Sequence, residues 1–155
     1  MKIAFHTRGA RRPPAENRAA QGVRAALGRR RVGEMNVVWT SRRTLRKMNV
    51  RFRKTDRFTD VIAFRHDPAP GERRRPAADT PFGDLFIAVD QARRNARRFG
   101  VSYNEEIVRL AVHGTLHLLG HTDYTPAPRA RMWAAQEPLV RRVMSRAKRT
   151  PQSHE

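Results

Sequence analysis

Residues 104–123 read NEEIVRLAVHGTLHLLGHTD and carry both the strongest helical pattern and the clearest chemical motif of the chain. Apolar residues recur at helical spacing through residues 104–119, which predicts a central helix with one face in the core. The residues predicted on that face are Ile107, Leu110, Ala111 and Leu118. Gly120 permits the left-handed turn that ends a helix, so the chain is predicted to reverse there.

Two histidines near the end of this helix predict a metal site. His113 and His117 are separated by about 40° of rotation and about 6 Å of rise, so both rings project from one face. Beyond the turn at Gly120, Asp123 can return as a third ligand. Two neutral imidazoles and one carboxylate suit Zn²⁺ with a fourth position open to water. The pattern therefore predicts one zinc ion per chain, and the two histidines are also predicted to be catalytic.

The third ligand has an alternative. A continued helix would place His121, four residues beyond His117, in that position instead of Asp123. Gly120 disfavours continuation of the helix and so favours Asp123. An isolated pair of histidines at this spacing is also common on ordinary helices, and it is the addition of Gly120 and Asp123 that favours a metal site.

The residue that follows the first histidine limits the chemistry. Zinc peptidases carry a glutamate general base there, whereas this chain has Gly114. Peptide hydrolysis by the usual route is therefore disfavoured. A peptidase-like zinc hydrolase remains an alternative, as does a non-catalytic RNA-binding or ribosome-binding protein with structural zinc.

Composition narrows the possible partners. The chain has 155 residues, with 33 Lys and Arg against 14 Asp and Glu, and a net charge of +19. Such a charge predicts attraction to a polyanion such as nucleic acid. There is no cysteine, which excludes disulfides, thiolate catalysis and Cys-type zinc fingers. No apolar run approaches the roughly 18 residues of a membrane span, so no membrane partner is expected.

Local patterns predict about four strands and about five helices. Strands are predicted at 2–7, 34–40, 59–65 and 84–89, and helices at 15–27, from an N-cap at Ser41 to about 52, and at 91–99, 104–119 and 126–148. This order predicts an α+β fold, an α/β sandwich with a mixed sheet. Residues 1–149 are expected to form a single domain with a mobile loop at 67–82, and residues 150–155 a tail.

Three blocks together resemble one protein family. Residues 48–64 read MNVRFRKTDRFTDVIAF, residues 83–87 read GDLFI, and residues 113–123 read HGTLHLLGHTD. In this order they are similar to the YbeY family of bacterial metal-dependent endoribonucleases. Four positions depart from the family pattern: Asp123 replaces the usual third histidine, His121 a tyrosine, Phe58 a proline and Ala63 a serine.

The resemblance implies a function and a location. It implies a zinc-binding α/β fold and hydrolysis of single-stranded RNA, with roles in maturing the 3′ end of 16S rRNA and in ribosome quality control. It also implies a cytoplasmic protein that associates with the ribosome or its small subunit and needs no small-molecule cofactor. Arg53 matches the functional arginine of the family, and its planar guanidinium suits gripping a phosphate and stabilising developing charge.

Further residues are assigned supporting roles. Asp60 and Asp84 lie at strand ends and are candidates to orient a ligand histidine, although capping a strand end is an equal alternative. The residues predicted to contact RNA are Arg53, Arg73, Arg74, Arg75, Arg93, Arg94, Arg97 and Arg98. No base-stacking platform is predicted, because the aromatic residues considered fit the core: Trp39, Phe52, Phe58, Phe64 and Phe86.

Overall fold

The computed structural model of the chain describes residues 1–53, 59–67, 70–71 and 81–149. Within those ranges it contains the four strands and five helices that the sequence predicts. The strands are β1 (Lys2–Thr7), β2 (Glu34–Thr40), β3 (Val61–Arg65) and β4 (Pro81–Ala88). The helices are α1 (Glu16–Leu27), α2 (Arg42–Met48), α3 (Val89–Phe99), α4 (Tyr103–Leu118) and α5 (Pro126–Arg149). The predicted α+β class is therefore confirmed.

Two element boundaries differ from the prediction by more than two residues. The helix capped by Ser41 ends as an α-helix at Met48 and continues as one π-helical turn, Asn49–Arg53. β4 begins at Pro81, three residues before the predicted start, because the first position of a strand tolerates proline. Residues 68–69, 72–80 and 150–155 lie outside the described ranges, so the mobile loop at 67–82 and the tail at 150–155 stay predictions. The single domain at 1–149 also stays a prediction.

The sheet is mixed, as predicted. Its strand order is β1-β2-β4-β3, with β1, β2 and β4 parallel and β3 antiparallel to β4. Val61 at the start of β3 pairs with Ile87 near the end of β4. Residues 59–61 therefore lie at the edge where the parallel strands have their carboxyl ends, which is where open α/β sheets place their ligands.

Helix α4 lies between the sheet and α5 and is the central helix of the fold. On one side, Ile107 and Ala111 join Leu85 of β4 in the main core. On the other side, Val112 packs with Met132 of α5. No helix in the described part of the chain is long and apolar enough to cross a membrane.

A glycine allows α4 to approach the sheet closely. A Cβ atom on Gly114 would lie 2.9 Å from a methyl carbon of Leu85 and 3.0 Å from one of Val61. Any larger side chain at this position would have to displace core atoms of β3 and β4. Side-chain atoms of the sheet therefore occupy the space that a side chain at position 114 would need. The close packing that this allows fixes the position of the adjacent His113 relative to the sheet.

Candidate metal centre

The end of α4 brings the predicted ligands to one place. Gly120 has a φ of 99°, and its N–H donates to the carbonyl of His117 over 3.0 Å. The N–H of His121 donates to the carbonyl of Leu116, also over 3.0 Å. These two hydrogen bonds and the positive φ form a Schellman motif, which satisfies the last carbonyls of the helix and reverses the chain. The reversal returns Asp123 to the face that carries the histidines.

Three potential ligand atoms converge there. The Nε2 atoms of His113 and His117 lie 3.0 Å apart. One carboxylate oxygen of Asp123, Oδ2, lies 3.4 Å from Nε2 of His113 and 3.7 Å from Nε2 of His117. All three side chains are partly buried, and their ligand atoms lie within 4.8 Å of one another. This group could hold a metal ion.

The surroundings of the two rings fix their tautomers. Nδ1 of His113 lies 2.6 Å from Oε1 of Gln136, while the amide nitrogen of Gln136 donates to Glu137 over 3.0 Å. Nδ1 of His117 lies 3.0 Å from the main-chain oxygen of His121. Because both partners are acceptors, each neutral ring carries its proton on Nδ1 and presents a lone pair on Nε2. Two facing lone pairs beside a carboxylate repel one another unless a cation lies between them, so the donor set fits a metal ion.

The two candidates for the third ligand lie differently relative to this group. Asp123 contributes its carboxylate to the group, whereas His121 contributes its carbonyl as the acceptor for His117. His121 also lines the cleft, but its ring does not belong to the ligand group found among the described residues.

The two aspartates predicted to orient the histidines have other partners. Asp60 accepts a hydrogen bond from Asn95 over 3.2 Å. Asp84 lies on the opposite face of the sheet, where it bonds Asn36 over 3.1 Å and His66 over 3.0 Å. Gln136 and the carbonyl of His121 hold the rings instead. The sequence gives no signal for Gln136, because its position beside His113 depends on how α5 packs on α4.

The three potential ligands line a cleft of about 920 Å³, which we call the metal cleft. Asn49 also lines it, so the π-helical turn that ends at Arg53 begins at the cleft wall. Arg129 lines the cleft too, and its Nε donates to the main-chain oxygen of Asp123 over 3.1 Å. Arg129 thus brings a positive charge to the site, and no local sequence pattern predicts this position for it.

A second cavity of about 600 Å³, the basic cavity, adjoins the metal cleft. The two share Thr59 and Asp60 in their walls. The basic residues that line the second cavity are Arg42, Arg94 and Arg98. Two of the four arginines predicted on α3 therefore line a cavity that adjoins the metal cleft.

The other predicted RNA-contacting arginines lie elsewhere. The guanidinium of Arg93 lies over the ring of Tyr103, 4.1 Å from its centroid. Arg97 is exposed in the last turn of α3. Arg53 ends the π-helical turn. The run 73–75 lies outside the described residues.

A network of charges joins α4 to α5 beside the metal centre. Arg109 lies 2.9 Å from Glu137, 3.2 Å from Glu105 and 3.3 Å from Glu106. Burial raises the pKa of Glu106 by more than the charge of Arg109 lowers it. Burial also acts to raise the pKa of Glu137, but hydrogen bonds from Arg109 and Gln136 outweigh it and hold that pKa below its usual range. Burial acts to lower the pKa of Arg109, but its bond to Glu137 and the surrounding carboxylates hold it above its usual value.

Comparisons with known proteins agree on the family. The model of the family described as Endoribonuclease YbeY matches residues 14–144. A protein of that name from Elusimicrobium minutum is 39% identical over 113 residues, covering 72% of this chain and 76% of its own. Another from Bacteroides thetaiotaomicron is 33% identical over 140 residues, covering 88% of this chain and 95% of its own.

A solved structure has the same fold. The solution structure of TM1509 from Thermotoga maritima covers 99% of this chain and 97% of its own, with a TM-score of 0.60 and 21% identity. At that identity the likeness concerns the fold alone. The family match and the identities to its named members carry the assignment, and the chain belongs to the endoribonuclease YbeY family.

Proposed function

We propose that this protein is a zinc-dependent endoribonuclease that cuts single-stranded RNA. The observation that supports it most directly is the convergence of His113, His117 and Asp123 in a cleft that adjoins an arginine-lined cavity. The family supports a ribonuclease role. We extend the proposal to maturation of the 3′ end of 16S rRNA and to ribosome quality control, by a cytoplasmic protein that associates with the ribosome or its small subunit.

Zinc is proposed on the chemistry of the donor set. Two imidazole nitrogens and one carboxylate oxygen are the ligands of catalytic zinc sites, which keep a fourth position open. A zinc ion held there would supply a Lewis acid that polarises a phosphoryl oxygen and lowers the pKa of a bound water. Because both Nδ1 atoms already donate to oxygen acceptors, His113 and His117 act as ligands and not as proton carriers.

The cationic side chains have a separate task. Arg53 and Arg129 are proposed to hold the phosphate that is cut and to offset the charge that develops on its oxygens. Arg94 and Arg98 hold neighbouring phosphates of the same strand in the basic cavity. This division predicts that substitution of a metal ligand lowers the metal content of the protein. Substitution of an arginine should instead weaken the binding and cleavage of RNA.

The packing of Gly114 argues against a peptidase. A glutamate at this position would point into Leu85 and Val61 of the sheet and away from the metal cleft. The general base of the zinc peptidases therefore has no room in this fold. RNA carries a phosphate at every nucleotide, and these phosphates can pair with the arginines of the metal cleft and the basic cavity. RNA therefore fits the site better than a peptide.

The test combines metal analysis with RNA cleavage. We expect about one zinc per chain, lost in His117→Ala and kept in Arg53→Ala, while both variants lose cleavage of single-stranded RNA. His66→Ala removes a histidine from the opposite face of the sheet and should keep both properties. Absence of metal from the wild type after zinc is resupplied would overturn the proposal. Zinc and RNA binding without cleavage, even of RNA in the small ribosomal subunit, would support structural zinc instead.

A further inference from the structure

Two exposed aromatic side chains line one pocket beside the metal centre. Phe99, at the end of α3, is 62% exposed, and Trp133 of α5 is 58% exposed. Both line a pocket of about 180 Å³ between α3, α4 and α5, which we call the aromatic pocket. Neither residue is among the aromatic residues whose fit to the core predicts the lack of a base-stacking platform.

The aromatic pocket adjoins the metal cleft. His113, Asp123 and Arg129 line both spaces. A group seated in the pocket therefore lies next to whatever is held at the metal centre. A ligand that fills both spaces must combine an apolar planar part with an anionic part only a few bonds away, and a nucleotide has this chemistry.

We propose that the aromatic pocket takes one unpaired nucleobase of the RNA strand whose phosphate lies in the metal cleft. This inference rests on the proposed function, since it names how the same site holds its substrate. Stacking on aromatic side chains is how proteins grip single strands, because every unpaired base offers a flat apolar face.

The size of the pocket favours one base over a base pair. At about 180 Å³ it is much smaller than the metal cleft of about 920 Å³, and it suits a single flat ring system better than a base pair. A base in a duplex would first have to leave its stack, at an energetic cost. The pocket therefore gives a physical reason for a preference for single-stranded RNA.

The charges around the pocket favour RNA over an apolar protein segment. The guanidinium of Arg98 lies 5.7 Å from the ring centroid of Phe99, so a positive charge lies beside this ring. Three acidic residues also line the pocket, and each has a partner of its own: Asp60 bonds Asn95, Glu106 bonds Arg109, and Asp123 lies beside His113. Arg129 adds a second positive charge where the pocket meets the metal cleft. A nucleotide carries a phosphate that can pair with these positive charges, whereas an apolar side chain carries no anionic group.

The polar part of the wall predicts weak base preference. Asn95 donates to Asp60, and Gln136 lies between His113 and Glu137. Because these amides already have partners, stacking and not edge recognition should control which base enters. We expect all four bases to be accepted, with purines, which have the larger stacking face, bound more tightly.

Tryptophan fluorescence tests the proposal directly. The chain has two tryptophans, and Trp39 is fully buried, so a ligand in the aromatic pocket should quench Trp133 alone. The probe is a single-stranded adenosine hexanucleotide, compared on mixing with a hexamer of equal charge that carries abasic sugars. We expect quenching by the first probe and little by the second. Trp133→Phe should leave only the unquenched emission of Trp39.

Cleavage kinetics provide a second, independent readout. Trp133→Ala should raise KM for single-stranded RNA by roughly 5- to 150-fold while zinc content stays unchanged. Trp133→Phe keeps a stacking face and should restore most of the loss, and Phe99→Leu should weaken binding without touching the tryptophan. Equal quenching by both hexamers, or a wild-type KM in Trp133→Ala, would overturn the proposal.

The two readouts keep this inference separate from the proposed function. Cleavage without base-dependent quenching refutes the nucleobase pocket and leaves the endoribonuclease. Base-dependent quenching without cleavage of any RNA supports the pocket and refutes the endoribonuclease. If neither hexamer binds the pocket, the occupant is not RNA and the inference is wrong.

Discussion

Nδ1 of His113 lies 2.6 Å from Oε1 of Gln136, across the contact between α4 and α5. This bond fixes the proton on Nδ1 and turns the lone pair of Nε2 toward Asp123. Gln136 is itself oriented, because its amide nitrogen donates to Glu137. The geometry of one proposed metal ligand therefore depends on a helix that supplies no ligand of its own.

Replacement of Gln136 should weaken metal binding without removing a ligand. Gln136→Ala leaves Nδ1 of His113 without its acceptor, so the ring loses both its fixed tautomer and its fixed orientation. Loss of such a partner typically costs 10- to 100-fold in metal affinity, and we expect an effect in that range. Competition with a chromophoric zinc chelator measures it.

The matched control is Gln91→Ala. Gln91 donates to Asn95 on α3 and has no contact with either histidine ring, so its removal should leave zinc affinity unchanged. Equal affinity in Gln136→Ala and the wild type would contradict the role assigned to Gln136.

Glu137 should stabilise the fold in a pH-dependent way. Its pKa is lower in the folded protein than its usual value of 4.5, because hydrogen bonds from Arg109 and Gln136 outweigh the effect of burial. The stabilisation is therefore fully present above pH 4.5 and is lost as the pH falls through the lower, folded pKa. We expect Glu137→Gln to lower the free energy of unfolding by about 1.5–3 kcal/mol at pH 7, and by less near pH 3.

Urea unfolding of metal-free protein at the two pH values measures this difference without a contribution from metal binding. The comparison variant is Glu105→Gln, which contacts the same Arg109 but is 30% exposed against 13% for Glu137. Its loss should be smaller at pH 7. A loss for Glu137→Gln that does not shrink in acid would contradict this account.

The sequence predicts what depends on local spacing and misses what depends on packing between helices. His113, His117 and Asp123 lie within eleven residues of one another, and one helix followed by one turn is enough to bring them together. Gln136 and Trp133 reach the same site only because α5 packs along α4. No periodicity within residues 126–148 specifies which turn of α5 faces His113.

The direction and pairing of the strands also cannot be predicted from local sequence patterns. Each strand was predicted from its own apolar pattern, but that pattern does not determine which neighbour it pairs with or in which direction. Insertion of β4 between β2 and β3 places Asp84 beside Asn36 on the face opposite the metal cleft. The apolar pattern of β4 alone could not show whether Asp84 faces a ligand histidine, because the face depends on the pairing.

The third ligand can be assigned by three substitutions. We expect Asp123→Ala to lose zinc and His121→Ala to keep it, because His121 serves the site through its carbonyl. Asp123→His introduces the residue usual in the family and should retain zinc, since imidazole is also a zinc ligand. The zinc content of each variant after dialysis measures this. Retention of zinc in Asp123→Ala together with its loss in His121→Ala would show that His121 is the third ligand.

The arginines of the basic cavity should control the salt dependence of RNA binding. Arg94 and Arg98 line that cavity, and each phosphate contact on a single strand contributes about 0.7 to the slope of log affinity against log salt. Arg94→Ala combined with Arg98→Ala should therefore reduce the slope by roughly 1.4 and weaken binding most at low salt. Arg24→Ala removes an exposed arginine from α1, which lines neither cavity, and should leave the slope nearly unchanged. Equal slopes for the double variant and Arg24→Ala would show that the two cavity arginines contribute no more than one exposed arginine elsewhere, and the basic cavity would then have no specific role.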